Sequence, residues 1–166
     1  AVTFEGGNLT DIVAIFGSGA ARLTFDAKSS QLNIGGDVTF TYKGNLLGEV
    51  QYLGGEPTGG KIVQGGLLKT DAGNKSTSIR LDAQKGKIEL TGFDLRLGAS
   101  ADTIRVRNDV SFSQPVVWDL GDGNNVVEVV SDKPTIVPFA LELKMGGGAD
   151  RVLLTGVQTT SLQINS

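Results

Sequence analysis

The chain contains no cysteine and no histidine. That removes thiol nucleophiles, imidazole bases and the usual zinc ligands together, and with them much of enzyme chemistry. Aromatic residues make up 6% of the sequence, with one tryptophan and two tyrosines, too few for a carbohydrate-stacking platform. No apolar run approaches the roughly 18 residues that a membrane-spanning helix needs, so no membrane insertion is expected. The net charge is −3, and no cluster of Lys and Arg interleaved with aromatics occurs, which argues against a nucleic-acid partner. No window keeps apolar residues at i, i+3, i+4 and i+7, so helices are not predicted either.

What the sequence does have is glycine, 24 of 166 residues, about twice the average usage of roughly 7%. The glycines cluster as GG, GxG and GGG between alternating apolar stretches, a pattern of many tight turns. Between residues 93 and 156 one unit occurs three times: FDLRLGASADTIRVRN, VVWDLGDGNNVVEVVS and LELKMGGGADRVLLTG. In each copy an alternating strand enters a small-residue turn, reaches an Asp or Asn, and leaves as a second alternating strand. Phe93, Leu95 and Leu97 correspond to Val116, Trp118 and Leu120 and to Leu141, Leu143 and Met145. After the turn, Ile104 and Val106 match Val127 and Val129 and then Val152 and Leu154. Period-2 alternation places these on one face of extended chain, and a repeat of about 23 to 25 residues falls within the range of solenoids.

The prediction is an all-β parallel β-solenoid, or β-helix, of about seven irregular coils of roughly 18 to 25 residues, forming one domain over 1–166. Residues 1–92 form irregular coils and 93–166 the regular repeats. Stacking such coils would set Arg96, Asp119 and Lys144 in one outward row of alternating sign, and Arg105 against Glu128, which avoids opposed like charges.

An earlier stretch, DIVAIFGSGAARLTFDA, reads as a degenerate fourth copy, with Ala21 where the others have Asp102, Asn125 and Asp150. Here Val13 and Ile15 take the outward positions, so a covering loop or a contact with another subunit is expected. QLNIGGDVTFTYKG and EVQYLGGEPTGGKIVQGG read as strand, glycine turn, strand. TDAGNKSTS is polar enough to be a protruding loop, and Pro115, Pro134 and Pro138 fall where corners of a coil belong.

The pattern Gly-x-Gly-x-Asp-x-apolar resembles the nonapeptide repeat of the RTX proteins, secreted bacterial β-roll proteins whose glycine-rich turns bind Ca²⁺ between coils. Asp102 and Asp150 match the family's Asp; Gly98, Gly146 and Gly148 match its glycines, while Gly121 and Gly123 precede Asn125. Ser100 and Asn125 depart from the motif, and it recurs once per long coil instead of every nine residues. The resemblance implies Ca²⁺ as the one cofactor to consider, with Asp102, Asn125, Asp150 and Asp122 as ligands. The plainer role for these side chains is bonding to backbone N–H groups of the turn. Right-handed β-helices also include pectin-degrading enzymes with acidic groups on one outer face, where Asp94, Asp119 and Glu142 would lie here beside Arg96 and Lys144. Those enzymes are much longer, with loops forming a cleft, and no catalytic role is expected.

The two termini carry the functional expectation. The first strand presents Val2 and Phe4, and the last, TTSLQINS, presents Leu162 and Ile164 without any charge. Neither reads as a cap, and an uncapped solenoid end templates association. A start at Ala1 without Met suits an exported, processed chain. The expectation is a secreted bacterial structural protein, at the cell surface or outside it. It would assemble with copies of itself end to end, with Val13 and Ile15 as a lateral contact. The alternatives are a module of a larger adhesin, its glycan or host ligand unspecified, and a polysaccharide-degrading β-helix.

Overall fold

Each alternating strand has one apolar face that it cannot bury alone, and coils stacked in parallel register bury it for all of them. The structure, a computed structural model, describes residues 2–17, 19–43, 46–55 and 58–166, and within these the side chains of all but 134 and 137–139. The first coil comprises β1 (Val2–Glu5), β2 (Gly7–Leu9) and β3 (Ile12–Phe16), and the second β4 (Ala21–Asp26), β5 (Gln31–Ile34) and β6 (Val38–Tyr42). The third has β7 (Gly48–Leu53) and the long β8 (Lys61–Asp71), and the fourth β9 (Thr77–Asp82) and β10 (Lys87–Arg96). The fifth has β11 (Thr103–Arg107), β12 (Val110–Phe112) and β13 (Val116–Asp119). β14 (Val126–Lys144) and β15 (Arg151–Asn165) each run around a whole coil.

All pairings are parallel, and they define a three-sided prism. Face A carries β1, β4, β7, β9, β11 and the first parts of β14 and β15. Face B carries β2, β5, β12 and the adjoining parts of β8, β10, β14 and β15. Face C carries β3, β6, β13 and the remainder. Each face therefore has seven rungs joined by about six turns of chain, which is about 29 Å from first to last at a spacing of ~4.8 Å.

The inward positions form unbroken columns. On face A the column Val2, Leu23, Val50, Ile79, Ile104, Val127, Val152 is in register throughout. Its interior members are fully buried, as are Val38, Leu68, Val116 and Leu143 on face C. Trp118 lies in this core, its ring 6.0 Å from Phe93 and 6.3 Å from Phe112. A second aromatic column, Phe4, Phe25, Tyr52, packs at 5.5 and 4.8 Å beneath face A.

Three expectations need correction. Successive residues of that face A column are 21 to 29 apart, so four of the six spacings fall within the expected 18 to 25 and two exceed it; the extra length lies at the corners before Gly48 and Lys61 and leaves the ladder untouched. TDAGNKSTS is no protruding loop. It is the corner from face C to face A, with Ala72 and Thr77 buried and Gly73 directly beneath Gly98. Thr70, Ala72 and Thr77 stand where the later copies have Leu or Trp, Leu or Met, and Asx, which hid the homology of this corner to theirs. No segment of the described chain covers Val13 and Ile15, which are 68% and 66% exposed. The corner role of the prolines holds: Pro115 separates β12 from β13, and the register of β14 shifts between Val130 and Thr135 and between Val137 and Ala140, around residues 134 and 138.

Candidate functional site

The glycine corner between faces C and A is built from the backbone outward. Gly98, Gly121 and Gly146 have φ of +90°, +65° and +66°, and a Cβ on any of them would run into the carbonyl of the glycine one coil below. Only glycine satisfies both conditions, so the corners nest at the ladder spacing. Just past this nest stand the residues singled out for Ca²⁺. Asp102 Oδ1 accepts the Thr77 N–H at 2.7 Å, Asn125 Oδ1 accepts the Asp102 N–H at 3.0 Å, and Asp150 Oδ1 accepts the Asn125 N–H at 2.9 Å. Asp122 Oδ1 accepts the Gly147 N–H at 2.8 Å. Each side chain thus reaches one coil away; Asp102, Asn125 and Asp150 satisfy amides at the start of face A strands, and Asp122 an amide within the next glycine turn.

A cation at these oxygens would compete with an amide proton at every one. Among the described residues no three acidic side chains converge on a common point. Asn125 has the fullest set of bonds, its Nδ2 donating to the Gly121 carbonyl at 3.0 Å and the Met145 carbonyl at 3.1 Å. Asp102, one rung away, is 1% exposed and its Oδ2 has no partner; burial pushes its pKa up to about 7. Asn125→Ala strands the Asp102 N–H and two carbonyls in a dry corner and should cost about 2 kcal/mol in urea denaturation. A loss under about 0.5 kcal/mol would mean that water replaces the amide.

The outward rows match their predicted register. Asp71, Arg96, Asp119 and Lys144 follow one another on face C with alternating sign. Arg105 faces Glu128, with Nε to Oε2 at 3.4 Å, and Arg107 reaches the same carboxylate at 3.2 Å. The carboxylates weighed for catalysis, Asp94, Asp119 and Glu142, do share face C. Arg96 is 3.5 Å from Asp94, and Lys144 is 3.9 Å from Glu142, so two of them sit in ordinary exposed ion pairs.

The two tips differ from everything between them. β1, β2 and β3 pair on one side only, and so does β15. Val2 is 41% exposed at one tip, and Leu162 and Ile164 are 46% and 48% exposed at the other, although all three occupy inward columns whose interior members are buried. Phe4, Leu9, Ile12, Ala14 and Phe16 add partly buried apolar surface at the first tip, and Val152, Leu154 and Val157 at the second. Sequence reasoning placed Val2, Phe4, Leu162 and Ile164 here, but missed the contribution of face B. Its short strand Gly7–Leu9 gives too little alternation to be seen.

Compared with models of known protein families, with characterised proteins and with solved structures, the chain matches none.

Proposed function

We propose that this solenoid is a structural unit that continues end to end, the last rung of one copy receiving the first rung of the next, in an extracellular filament or surface array. The observation that carries this reading is the pair of open tips. Each offers one unpaired edge of a parallel ladder and an apolar floor in the same three-sided outline, and a heterologous contact of that kind generates an open filament unless its rotation closes a ring. The rest of the molecule fits a passive role. Asp102, Asp122 and Asp150 bond to backbone, Asp94 and Glu142 stand in solvated ion pairs, and the single tryptophan is core. The extracellular setting rests on the resemblance of the glycine corners to those of secreted bacterial repeat proteins.

Under this reading the purified chain forms elongated particles in negative-stain micrographs. Their length grows with protein concentration in steps of about 34 Å, seven rungs at ~4.8 Å each. Leu162→Arg, which places a charge on the apolar floor, should leave short single units with an unchanged far-UV spectrum. A wild-type chain that stays one unit long at high concentration would overturn self-assembly. It would favour a module of a longer surface protein, whose own further coils occupy the tips.

A further inference from the structure

The two tips also specify how a second copy sits. A three-sided prism can be stacked in three ways, each a third of a turn from the next. We propose that only one is used, with every face continuing onto the same face of the neighbour; this rests on the end-to-end reading above.

The outline of the tips decides it. At the last rung the paired stretches are five residues on face A (151–155), three on face B (157–159) and five on face C (161–165). At the first rung, face B is again the short side, three residues in β2 against four in β1 and five in β3. At ~3.3 Å per residue, three residues span about 10 Å and five about 17 Å, so a rotated copy would set a short side on a long one. Only the unrotated seating superposes the short sides.

The columns agree once they are carried one step further. The register that runs from Val2 to Val152 and from Phe4 through Phe25 and Val129 to Leu154 puts Val2 of the next copy on Val152 and Phe4 on Leu154. On face C, Ile12 falls on Leu162 and the small Ala14 on Ile164; on face B, Gly7 falls on Val157. Apolar meets apolar at each of these positions, an exception on the inward side being Leu9, which falls on Thr159, and the two smallest inward residues of the first rung lie opposite branched ones.

The outward residues fit as well. Val13 falls on Gln163, Thr3 on Leu153 and Asn8 on Gln158, with no like charges opposed. Asn8 already begins an amide row on face B, its Oδ1 accepting the Asn33 Nδ2 hydrogen at 2.7 Å. Its own Nδ2 hydrogens are then directed to the other side of the rung, where the Gln158 Oε1 of the neighbouring copy would accept them.

The absence of cysteine gives a clean test. Asn8 and Gln158 are both exposed and outward, so the double variant Asn8→Cys, Gln158→Cys should fold. Adjacent parallel rungs lie ~4.8 Å apart, inside the roughly 4.4 to 6.8 Å Cα window of a disulfide. On mild oxidation this variant should give a ladder of covalent oligomers on a non-reducing gel. Asn8→Cys with Gln163→Cys, and Asn8→Cys with Leu153→Cys, report the two rotated seatings and should give at most traces. A ladder from either rotated pair, or none from the matched pair while unmodified protein still lengthens with concentration, overturns the seating and leaves end-to-end assembly standing. No ladder from any pair, with particles one unit long at all concentrations, removes both.

Discussion

Gly121→Ala should lower the unfolding free energy by about 2 to 5 kcal/mol, one of the two largest effects expected of any single substitution here. Two costs add at this position: roughly 1 to 2 kcal/mol for a side chain in left-handed backbone, and about 1 to 3 for forcing atoms into a packed site. Gly121 has φ +65°, and its Cβ would strike the Gly98 carbonyl. Other glycines carry the costs singly. Gly73 has φ +56° but nothing within 4 Å of a Cβ, so Gly73→Ala should cost about 1 to 2 kcal/mol. Gly66 lacks the positive φ, yet its Cβ would collide with the Gly36 backbone, which isolates the steric cost. Gly147 has neither, its nearest neighbour being Asp122 Oδ1 at 3.5 Å, so alanine there should stay within about 0.5 kcal/mol. Urea midpoints at constant m separate the four. Equal losses at Gly121 and Gly147 would show that the nested corner is not what holds the coils at their spacing.

The second large effect is a pH dependence that Asp102→Asn abolishes. The folded pKa of Asp102, about 7, lies above the ordinary carboxylate value of about 3.9 in an unfolded chain. The neutral form is therefore the one the fold prefers. Its contribution is fully present below about pH 4 and is lost as pH rises through 7, because folded protein must then hold a buried charge or give up the corner. A shift of three pKa units corresponds to on the order of 4 kcal/mol once ionisation is complete, an upper figure for pH 8.5.

The absences noted at the outset make the measurement clean. With no His and no Cys, no other side chain ordinarily titrates between pH 5 and 8.5. Asp37 and Glu89, whose pKa values are lowered chiefly by hydrogen bonds to Lys69 and Lys61, act only in more acid solution, and the raised Tyr52 only in more alkaline. Wild-type stability should fall across the window while Asp102→Asn stays nearly flat and is the more stable of the two at pH 8.5. Parallel curves would remove Asp102 as the cause. Asn125 is the natural precedent, filling the equivalent slot with an amide whose Nδ2 finds two carbonyls.

The late half of the fold was legible because its glycines, Gly156 apart, stand at one corner, so three copies align by eye. The early half scatters them. Gly35, Gly36, Gly65 and Gly66 stack at the corner from face B to face C, and Gly54, Gly55, Gly59 and Gly60 at the corner from A to B. A strand, glycine, strand unit there is a different third of the coil from its later look-alike. Polar residues in inward columns blurred the pattern further. Gln64 stands between Ile34 and Leu90 on face B, made tolerable by the Tyr52 hydroxyl donating to its Oε1 at 2.6 Å, and Thr70 stands between Phe40 and Leu95. At the corner, spacing showed that Asp102, Asn125 and Asp150 are equivalent. It could not show that each bonds to the coil beside it, because that depends on the stacking offset and leaves no periodic trace.

The parallel winding also governs how the molecule bears load. Its interstrand bonds point along the prism axis, and the sixth and seventh coils alone meet through thirteen register pairs spread over three sides. Tension applied evenly across a tip strains all of them at once, so two coils part only by a concerted rupture. The same bonds yield one after another when a chain terminus is tugged, like stitches drawn from a seam. Such a body is stiff under stretch and vulnerable to fraying, and its strength in service depends on whether its last rung is held.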